Sequence, residues 1–214
     1  MAIYSGVATP AQRQAMFDLG IFKPEEADTE PVVSPYYGNY VLSAMGIAGH
    51  IQAGLDYART FWGQMVKDGA TTFYETYDSL WNKHNFHFHL QWDEHDNATA
   101  GYHVSLCHGW SAGPTTFLTE YFLGVKSTGA GFKTCSISPR PGDLSWASGS
   151  VPTSRGNIHV RVERRPTGLV LKVSIPKGTA AVVTLPSSIR EVNGKQNHGT
   201  SAKIGYGTYT IYGS

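Results

Sequence analysis

The chain has little charge and little cysteine, and it has no long apolar run. Only 15% of its 214 residues are charged, and its formal net charge is +1 at pH 7. A net charge this small creates no positive field that would attract nucleic acid or an anionic lipid surface. Two cysteines, Cys107 and Cys135, cannot build a disulfide framework. A membrane span needs a run of about 18 apolar residues, so none is expected, and the N-terminus lacks the features of a signal peptide.

The remaining composition favours a folded chain that handles neutral polar ligands. Hydrophobic residues make up 41% and aromatic residues 12% of the sequence. Many aromatic side chains together with few charges argue against disorder. A chain of 214 residues can bury a core, either as one large domain or as two small ones.

Helical periodicity dominates residues 1 to about 125. Thr9 is a plausible N-cap with Pro10 in the first helical position, and Gly20 follows the last turn of this helix. A second helix is predicted from Ser34-Pro35 to Gly49. Its predicted buried face comprises Tyr37, Tyr40, Val41, Ala44, Met45 and Ala48.

Two more helices are predicted from the same signals. One ends at Gly69, and its apolar stripe comprises Ile51, Leu55, Ala58, Trp62 and Met65. The other runs from near Pro114 to Gly124 and carries Phe117, Leu118, Tyr121 and Phe122. Between them, residues 76–104 show no helical period, and long ordered loops of this kind are usually functional.

From about residue 130 the hydrophobic period becomes two, which is typical of β-strands. The alternating residues are Ile158, Val160, Val162, Leu169, Leu171 and Val173, and further strands are predicted over 180–185, 189–192 and 206–212. Turns recur between these segments, which favours a small antiparallel β-sandwich. The sequence therefore predicts a multidomain chain of α and β structure, with a helical domain over 1–126 and a β domain over 127–214.

Glu75 ends the block Gly69-Ala70-Thr71-Thr72-Phe73-Tyr74-Glu75. A carboxylate beside two aromatic rings in a cleft can serve as a general base. A solvated loop glutamate is the plainer alternative, because most exposed acids have no catalytic role.

His108 and Trp110 lie in a second block, Ser105 to Pro114, between Gly109 and Gly113. An indole offers a flat apolar face to a sugar ring, and an imidazole can hydrogen-bond a hydroxyl. A buried structural turn is the alternative. The neighbouring Cys107 is a poor nucleophile for His108, because adjacent side chains usually point apart.

Four histidines between the two blocks raise the question of a metal. They are His84, His87, His89 and His95, and Asp93 and Glu94 lie among them. Their spacing matches no known zinc signature, so no metal site is predicted.

Taken in order, these blocks resemble the C-terminal portion of bacterial and fungal α-L-rhamnosidases. The resemblance starts at Pro35-Tyr36 and Phe61-Trp62-Gly63 and runs through the Glu75 and His108 blocks. It continues over residues 117–125, 137–139 and 144–153. It implies the last part of an (α/α)6 barrel, or toroid, over residues 1–125, followed by a β-sandwich.

The resemblance also implies an activity and a site. The family hydrolyses terminal α-L-rhamnosides with inversion, and no cofactor is implied. Glu75 maps to the general base, His108 to the sugar-binding subsite, and Trp110 to a nearby wall; Tyr37 is a further substrate-binding candidate. Rhamnose-containing glycosides are the expected partners. Family members are often secreted, but the sequence leaves the compartment open.

One part of the family pattern is missing from this sequence. In the family, the general acid lies in the earlier half of the barrel, so the lone chain is expected to have little or no activity. If it were active, Glu94, Asp93 or Asp78 would become candidates for the acid. The alternatives are a non-catalytic carbohydrate-binding fragment and an assembly piece that completes a barrel with another polypeptide, because apolar helix stripes rarely stay bare.

Overall fold

The chain forms two compact units, Met1–Thr116 and Phe117–Ser214. The structure, a computed structural model, describes residues 1–20, 35–67, 69–75 and 105–214. No helix within these ranges is both long and apolar enough to cross a membrane. The division between the units falls before the expected boundary after residue 126, and the assignment of domains to 1–126 and 127–214 stays a prediction.

The first helix, α1, spans Pro10–Asp18 and begins as expected. The hydroxyl of Thr9 accepts the N–H of Gln12 at 3.3 Å, and the Gln12 side chain accepts the N–H of Thr9 at 2.9 Å. This reciprocal capping box satisfies two N–H groups that a helix start leaves without partners.

Helices α2, Pro35–Ala48, and α3, Ile51–Lys67, form the expected hairpin. The predicted face of α3 is confirmed. Its side chains are buried at Ile51, Leu55, Trp62 and Met65 and partly buried at Ala58. The predicted face of α2 is wrong in part, since Tyr37 is 58% exposed. The helix instead buries the side that carries Pro35, Gly38, Leu42, Ser43, Ala44 and Met45.

Gly38 explains why α2 is rotated from the expected face. A Cβ on Gly38 would lie 2.5 Å from the Cη2 atom of Trp62. Only glycine leaves room for the indole of α3 at this position, so the helix pair approaches along Gly38 rather than along the tyrosines.

The predicted helix after Pro114 is confirmed, in two parts. Helix α4 spans Gly113–Phe117 and continues as a π-helical turn over Leu118–Phe122. A short 3₁₀ turn, Gly109–Ser111, precedes α4. The four glycines expected to end helices, Gly20, Gly49, Gly69 and Gly124, all have positive φ angles.

The second unit is mostly β-structure, as expected. Its strands are β1 Val125–Ser127, β2 Thr134–Ile137, β3 Trp146–Val151, β4 Ile158–Arg165, β5 Gly168–Ile175, β6 Ala180–Val192, β7 Lys195–Ile204 and β8 Gly207–Gly213, with a 3₁₀ turn at Ala130–Phe132. They join in one hydrogen-bonded, barrel-like sheet in the order β1-β2-β6-β8-β5-β4-β3, with β7 beside β6.

The expectation of a purely antiparallel arrangement was wrong for one strand pair. β2 pairs with β6 in parallel, with Thr134 opposite Ala180 and Ile137 opposite Val183. Three strands intervene in sequence between β2 and β6, so no tight hairpin constrains their relative direction. The other pairings between named strands are antiparallel.

β6 merges two of the predicted strands into one. Its register against β7 shifts between Thr184 and Ile189, around Pro186. Proline cannot donate to a β-ladder, and such irregularities bend a strand. Residues before the shift pair with β2, and residues after it pair with β8. The bend therefore lets β6 pair with β2 along its first half and with β8 along its second half.

The core of the second unit lies on one face of the sheet. Ile158, Val160 and Val162 are buried along β4, and His159 and Arg161 between them are exposed. Neighbouring strands contribute Leu171, Val173, Ile189 and Ile211. Full burial of such a side chain contributes about 1.5–3 kcal/mol, so this face supplies much of the stability of the unit.

We expect Gly124→Ala to destabilise the second unit by about 3 kcal/mol. Gly124 has a φ of 74°, and an added Cβ would lie 2.1 Å from the carbonyl oxygen of Ser138. Gly199→Ala is the control, because nothing lies within 4 Å of an added Cβ there. Urea unfolding of both variants measures the effect. Equal midpoints for the two variants would contradict this account of Gly124.

We expect Glu163 to make stability depend on pH. Its carboxylate accepts bonds from Arg161 at 2.7 Å and Arg165 at 2.5 Å, which lowers its pKa from 4.5 to about 2. A carboxyl group whose pKa is lower in the folded state stabilises the fold at pH values above its unfolded-state pKa. This stabilisation is lost as the pH falls through its folded-state pKa. Glu163→Gln should thus be less stable than the wild type at pH 7.

The stability difference between Glu163→Gln and the wild type should shrink as the pH falls from 4.5 towards 2. Denaturant unfolding of both proteins at several pH values checks this. A difference that stays constant down to the acid end would show that the two arginines do not stabilise the ionised carboxylate.

Candidate functional site

Two backbone hydrogen bonds bring the two sequence blocks together in the first unit. The N–H of Glu75 donates to the carbonyl of Ser105 at 2.8 Å, and the N–H of His108 donates to the carbonyl of Phe73 at 2.8 Å. The hydroxyl of Thr72 donates to the carbonyl of Leu106. This pairing, which we call the backbone bridge, places residues 72–75 alongside residues 105–108.

The backbone bridge sets the side chains of Glu75 and His108 side by side. The Glu75 Oε2 atom lies 3.6 Å from His108 Nδ1, and the two side chains are 29% and 31% exposed. The same Oε2 atom accepts the N–H of Ser105 at 2.9 Å. The carboxylate is therefore held by a backbone donor but remains open to solvent on one side.

Trp110 completes the group. Its indole N–H donates to the backbone carbonyl of Glu75 at 3.1 Å, and its ring centroid lies 4.1 Å from that of His108. The side chain is 45% exposed. The structure thus brings Glu75, His108 and Trp110 together, as the sequence predicted, and it leaves the indole accessible to a ligand.

Tyr37 belongs to an aromatic cluster with Tyr36 and Tyr40. Its ring packs edge-on against Tyr36 at 5.7 Å, and Tyr36 in turn lies 5.4 Å from Trp110. The Tyr36 hydroxyl hydrogen-bonds that of Tyr40 at 3.1 Å, and this bond raises the pKa of Tyr40. Tyr37 therefore relates to the site through Tyr36.

Sequence reasoning missed Tyr36 and Ser105 as site residues. The sequence marks Tyr36 only as part of a helix start, although it lies next to Tyr37 on α2. Ser105 acts through its backbone N–H on Glu75, and a backbone contact leaves no signature in residue type. The sequence does contain a signal for Tyr36. Tyr36 and Tyr37 both lie in the first turn of α2, so a candidate role for Tyr37 makes Tyr36 a candidate as well.

Buried contacts fix the turn that carries Trp110. The indole N–H of Trp62, on α3, donates to the carbonyl of Ser111 at 2.8 Å. Gly113 lies against α2, where an added Cβ would be 2.8 Å from the Cα atom of Asn39. Both helices of the hairpin therefore hold the 3₁₀ turn in place, which keeps Trp110 at a fixed position.

The arrangement is suited to acid–base chemistry on a neutral polar ligand. A half-open carboxylate can accept a proton from water, an imidazole can hydrogen-bond a hydroxyl, and an indole can pack against a sugar ring. Among the described residues no group of three or more His, Cys, Asp and Glu side chains could hold a metal ion. The histidines at 84, 87, 89 and 95 lie outside the described residues, as do Asp78, Asp93 and Glu94.

Comparisons with known proteins find that this chain is similar to one class of enzyme, the alpha-L-rhamnosidases, which are glycosidases. Residues 124–200 match the sequence model of the bacterial alpha-L-rhamnosidase C-terminal domain. The alpha-L-rhamnosidase of Streptomyces avermitilis is 27% identical over 132 residues, which is 60% of this chain and 12% of that protein.

Solved structures agree with this match. A crystal structure of the Streptomyces avermitilis alpha-L-rhamnosidase, complexed with L-rhamnose, is similar over 98% of this chain and 20% of its own, with a TM-score of 0.71 and 21% identity. A rhamnosidase of Bacillus sp. GL1 is 32% identical over 86% of this chain and 18% of its own, with a TM-score of 0.65. The chain thus resembles the C-terminal part of α-L-rhamnosidases, as its motifs predicted, and spans about a fifth or less of these relatives.

We expect Glu75→Ala to loosen the backbone bridge, and Glu75→Gln to keep most of it. The Glu75 carboxylate accepts the N–H of Ser105, and a glutamine carbonyl can replace that acceptor. Losing a hydrogen bond of this kind costs about 1 kcal/mol. The amide proton of Ser105 should therefore exchange about five-fold faster in Glu75→Ala than in the wild type. Hydrogen exchange followed by NMR measures it, with Glu120→Ala as the control. Equal protection in Glu75→Ala and Glu75→Gln would show that the carboxylate does not hold the bridge.

Proposed function

We propose that this chain is the C-terminal segment of an α-L-rhamnosidase-like glycoside hydrolase, acting on terminal α-L-rhamnosides with inversion. One observation carries the proposal: the Glu75 carboxylate and the His108 imidazole lie 3.6 Å apart, both partly open to solvent. The family resemblance of the two blocks and the rhamnose complex of the Streptomyces avermitilis relative support the choice of sugar.

Glu75 would act as the general base. A carboxylate that accepts one backbone N–H keeps further lone pairs for a water molecule, and it can take a proton as that water attacks the anomeric carbon. The Ser105 N–H fixes the carboxylate, which limits the orientations that the water must match. No step in this role needs a cofactor or a metal.

His108 and Trp110 would position the sugar. The imidazole is 31% exposed beside the carboxylate and can bond a ring hydroxyl. The indole is 45% exposed and offers an apolar face to the methyl-bearing side of a deoxy sugar. Tyr37, 58% exposed at the edge of the aromatic cluster, would contact a more distant part of the substrate.

The general acid would come from outside the described residues. An inverting glycosidase needs a second carboxyl group about 6.5–9.5 Å from the base, so that a water molecule fits between base and sugar. By the family resemblance, that acid belongs to the earlier half of an (α/α)6 barrel, of which the helices of the first unit would be the last part. Without it, each lost acid–base role costs about 10²–10⁴ in rate.

A second candidate function is assembly with a polypeptide that carries the front of the barrel. Large side chains stand exposed on the first unit: Tyr4, Tyr36, Tyr37, Val66 and Trp110. Exposed apolar surface of this kind often marks a place where other chain segments or a ligand pack. This function is compatible with the first, because the completed barrel would hold both carboxyl groups.

We expect the 214-residue chain to bind L-rhamnose weakly and to hydrolyse a chromogenic rhamnoside slowly or not at all. His108→Ala should abolish the NMR shifts that rhamnose causes, and Glu120→Gln, which changes a carboxylate of the second unit, should leave them unchanged. Glucose is the matched sugar control.

Each outcome of this experiment decides a different claim. Robust turnover that is lost in Glu75→Gln would support the base and overturn the claim that the acid is missing. Rhamnose binding without turnover is the expected result. Binding that survives His108→Ala, or no binding at millimolar rhamnose, would remove the sugar-binding role from this site.

A further inference from the structure

The outer face of the second unit carries a hollow that the proposed function does not use. It has a volume of about 370 Å³ and lies over strands β3, β4, β5 and β8. Its lining residues are Ser148, Gly149, His159, Val160, Arg161, Lys172, Val173, Ser174 and Thr208. We call it the sheet hollow. Its size falls within the range of small-ligand pockets, about 300–1,000 Å³.

The strand registers align the polar side chains of the sheet hollow in rungs. Ser148 lies opposite Arg161, and Arg161 lies opposite Lys172. His159 lies opposite Ser174, which is opposite Thr208 with their hydroxyls 3.2 Å apart. Side chains opposite one another on one face of a sheet point the same way. The hollow therefore presents two cations, an imidazole and three hydroxyls to one ligand.

The hollow carries an excess of positive charge. Arg161 and Lys172 are direct cross-strand neighbours, and like charges in this position destabilise a sheet. The nearby carboxylate, Glu163, is shared between Arg161 and Arg165. Within the part of the chain that the structure describes, no ion pair or hydrogen bond of Lys172 is found. An anion between Arg161 and Lys172 would relieve the repulsion.

An exposed indole borders the same face. Trp146 begins β3 and is 53% exposed, and the Arg161 guanidinium carbon lies 4.7 Å from its ring centroid. This cation–π contact holds the arginine and the indole together. A flat aromatic ring beside hydroxyl groups suits the apolar face of a pyranose, and the cations suit a carboxylate.

We propose that the sheet hollow binds an acidic oligosaccharide, with a uronate carboxylate between Arg161 and Lys172 and a sugar ring on Trp146. The positive charge argues for an anion, and the indole and hydroxyls argue for a sugar. The choice of an acidic sugar, rather than another kind of anion, also rests on the proposed glycosidase function. The lining residues of the hollow all belong to the second unit, whereas Glu75 and His108 belong to the first.

Tetragalacturonate is the probe, titrated into the 214-residue chain at low salt and followed by NMR and calorimetry. We expect shifts centred on the sheet hollow. Lys172→Gln should weaken binding about ten-fold, the effect of losing one charge-assisted hydrogen bond. Trp146→Ala should weaken it as well. Lys203→Gln, which removes an exposed lysine from β7, is the matched control and should bind like the wild type.

Several results would overturn the proposal. The first is no binding at millimolar probe, and the second is equal binding by Lys172→Gln and the control. The third is equal binding of a neutral tetrasaccharide such as cellotetraose. The fourth is equal or tighter binding of duplex DNA, which would indicate unspecific attraction of polyanions. Rhamnose is titrated into the same samples. Lys172→Gln should leave the rhamnose response unchanged, so failure at one site is distinguished from failure at the other.

Discussion

The backbone bridge between residues 72–75 and 105–108 is the constraint on which the candidate site depends. Two N–H to carbonyl bonds of 2.8 Å join segments about thirty residues apart in sequence. These bonds place the side chains of Glu75 and His108 next to each other, and they bring the Trp110 indole within hydrogen-bonding distance of the Glu75 carbonyl. The carboxylate itself strengthens the bridge through Ser105, so the same group serves structure and proposed chemistry.

The helical hairpin supports this geometry through buried contacts. Trp62 donates to Ser111, and its indole fills the space that Gly38 leaves on α2. A single buried side chain thus joins α2, α3 and the turn that carries Trp110. Burial of the neighbouring Tyr57 side chain raises its pKa to about 12.

Much of the local structure could be predicted from the sequence. Thr9 and the four helix-ending glycines stand where their chemistry requires, and the stripe of α3 and the alternation of β4 are confirmed. Strands β1, β2, β3 and β7 were not predicted. The exposed polar residues of β7 show no alternation, and its pairing with β6 decides its conformation. The parallel contact of β2 with β6 and the rotation of α2 also depend on partners that are distant in sequence.

The sequence by itself determined the helices and the strands β4, β5 and β8, and it marked Glu75, His108 and Trp110 as candidate site residues, because residue type and local spacing carry that information. Only the tertiary structure decided that Tyr36, rather than Tyr37, lies against Trp110, and that Arg161 and Lys172 line one hollow while Arg161 also contacts the neighbouring Trp146. The physical reason is that helix rotation and strand register are set by packing between segments far apart in the chain, where one small residue such as Gly38 outweighs a local pattern.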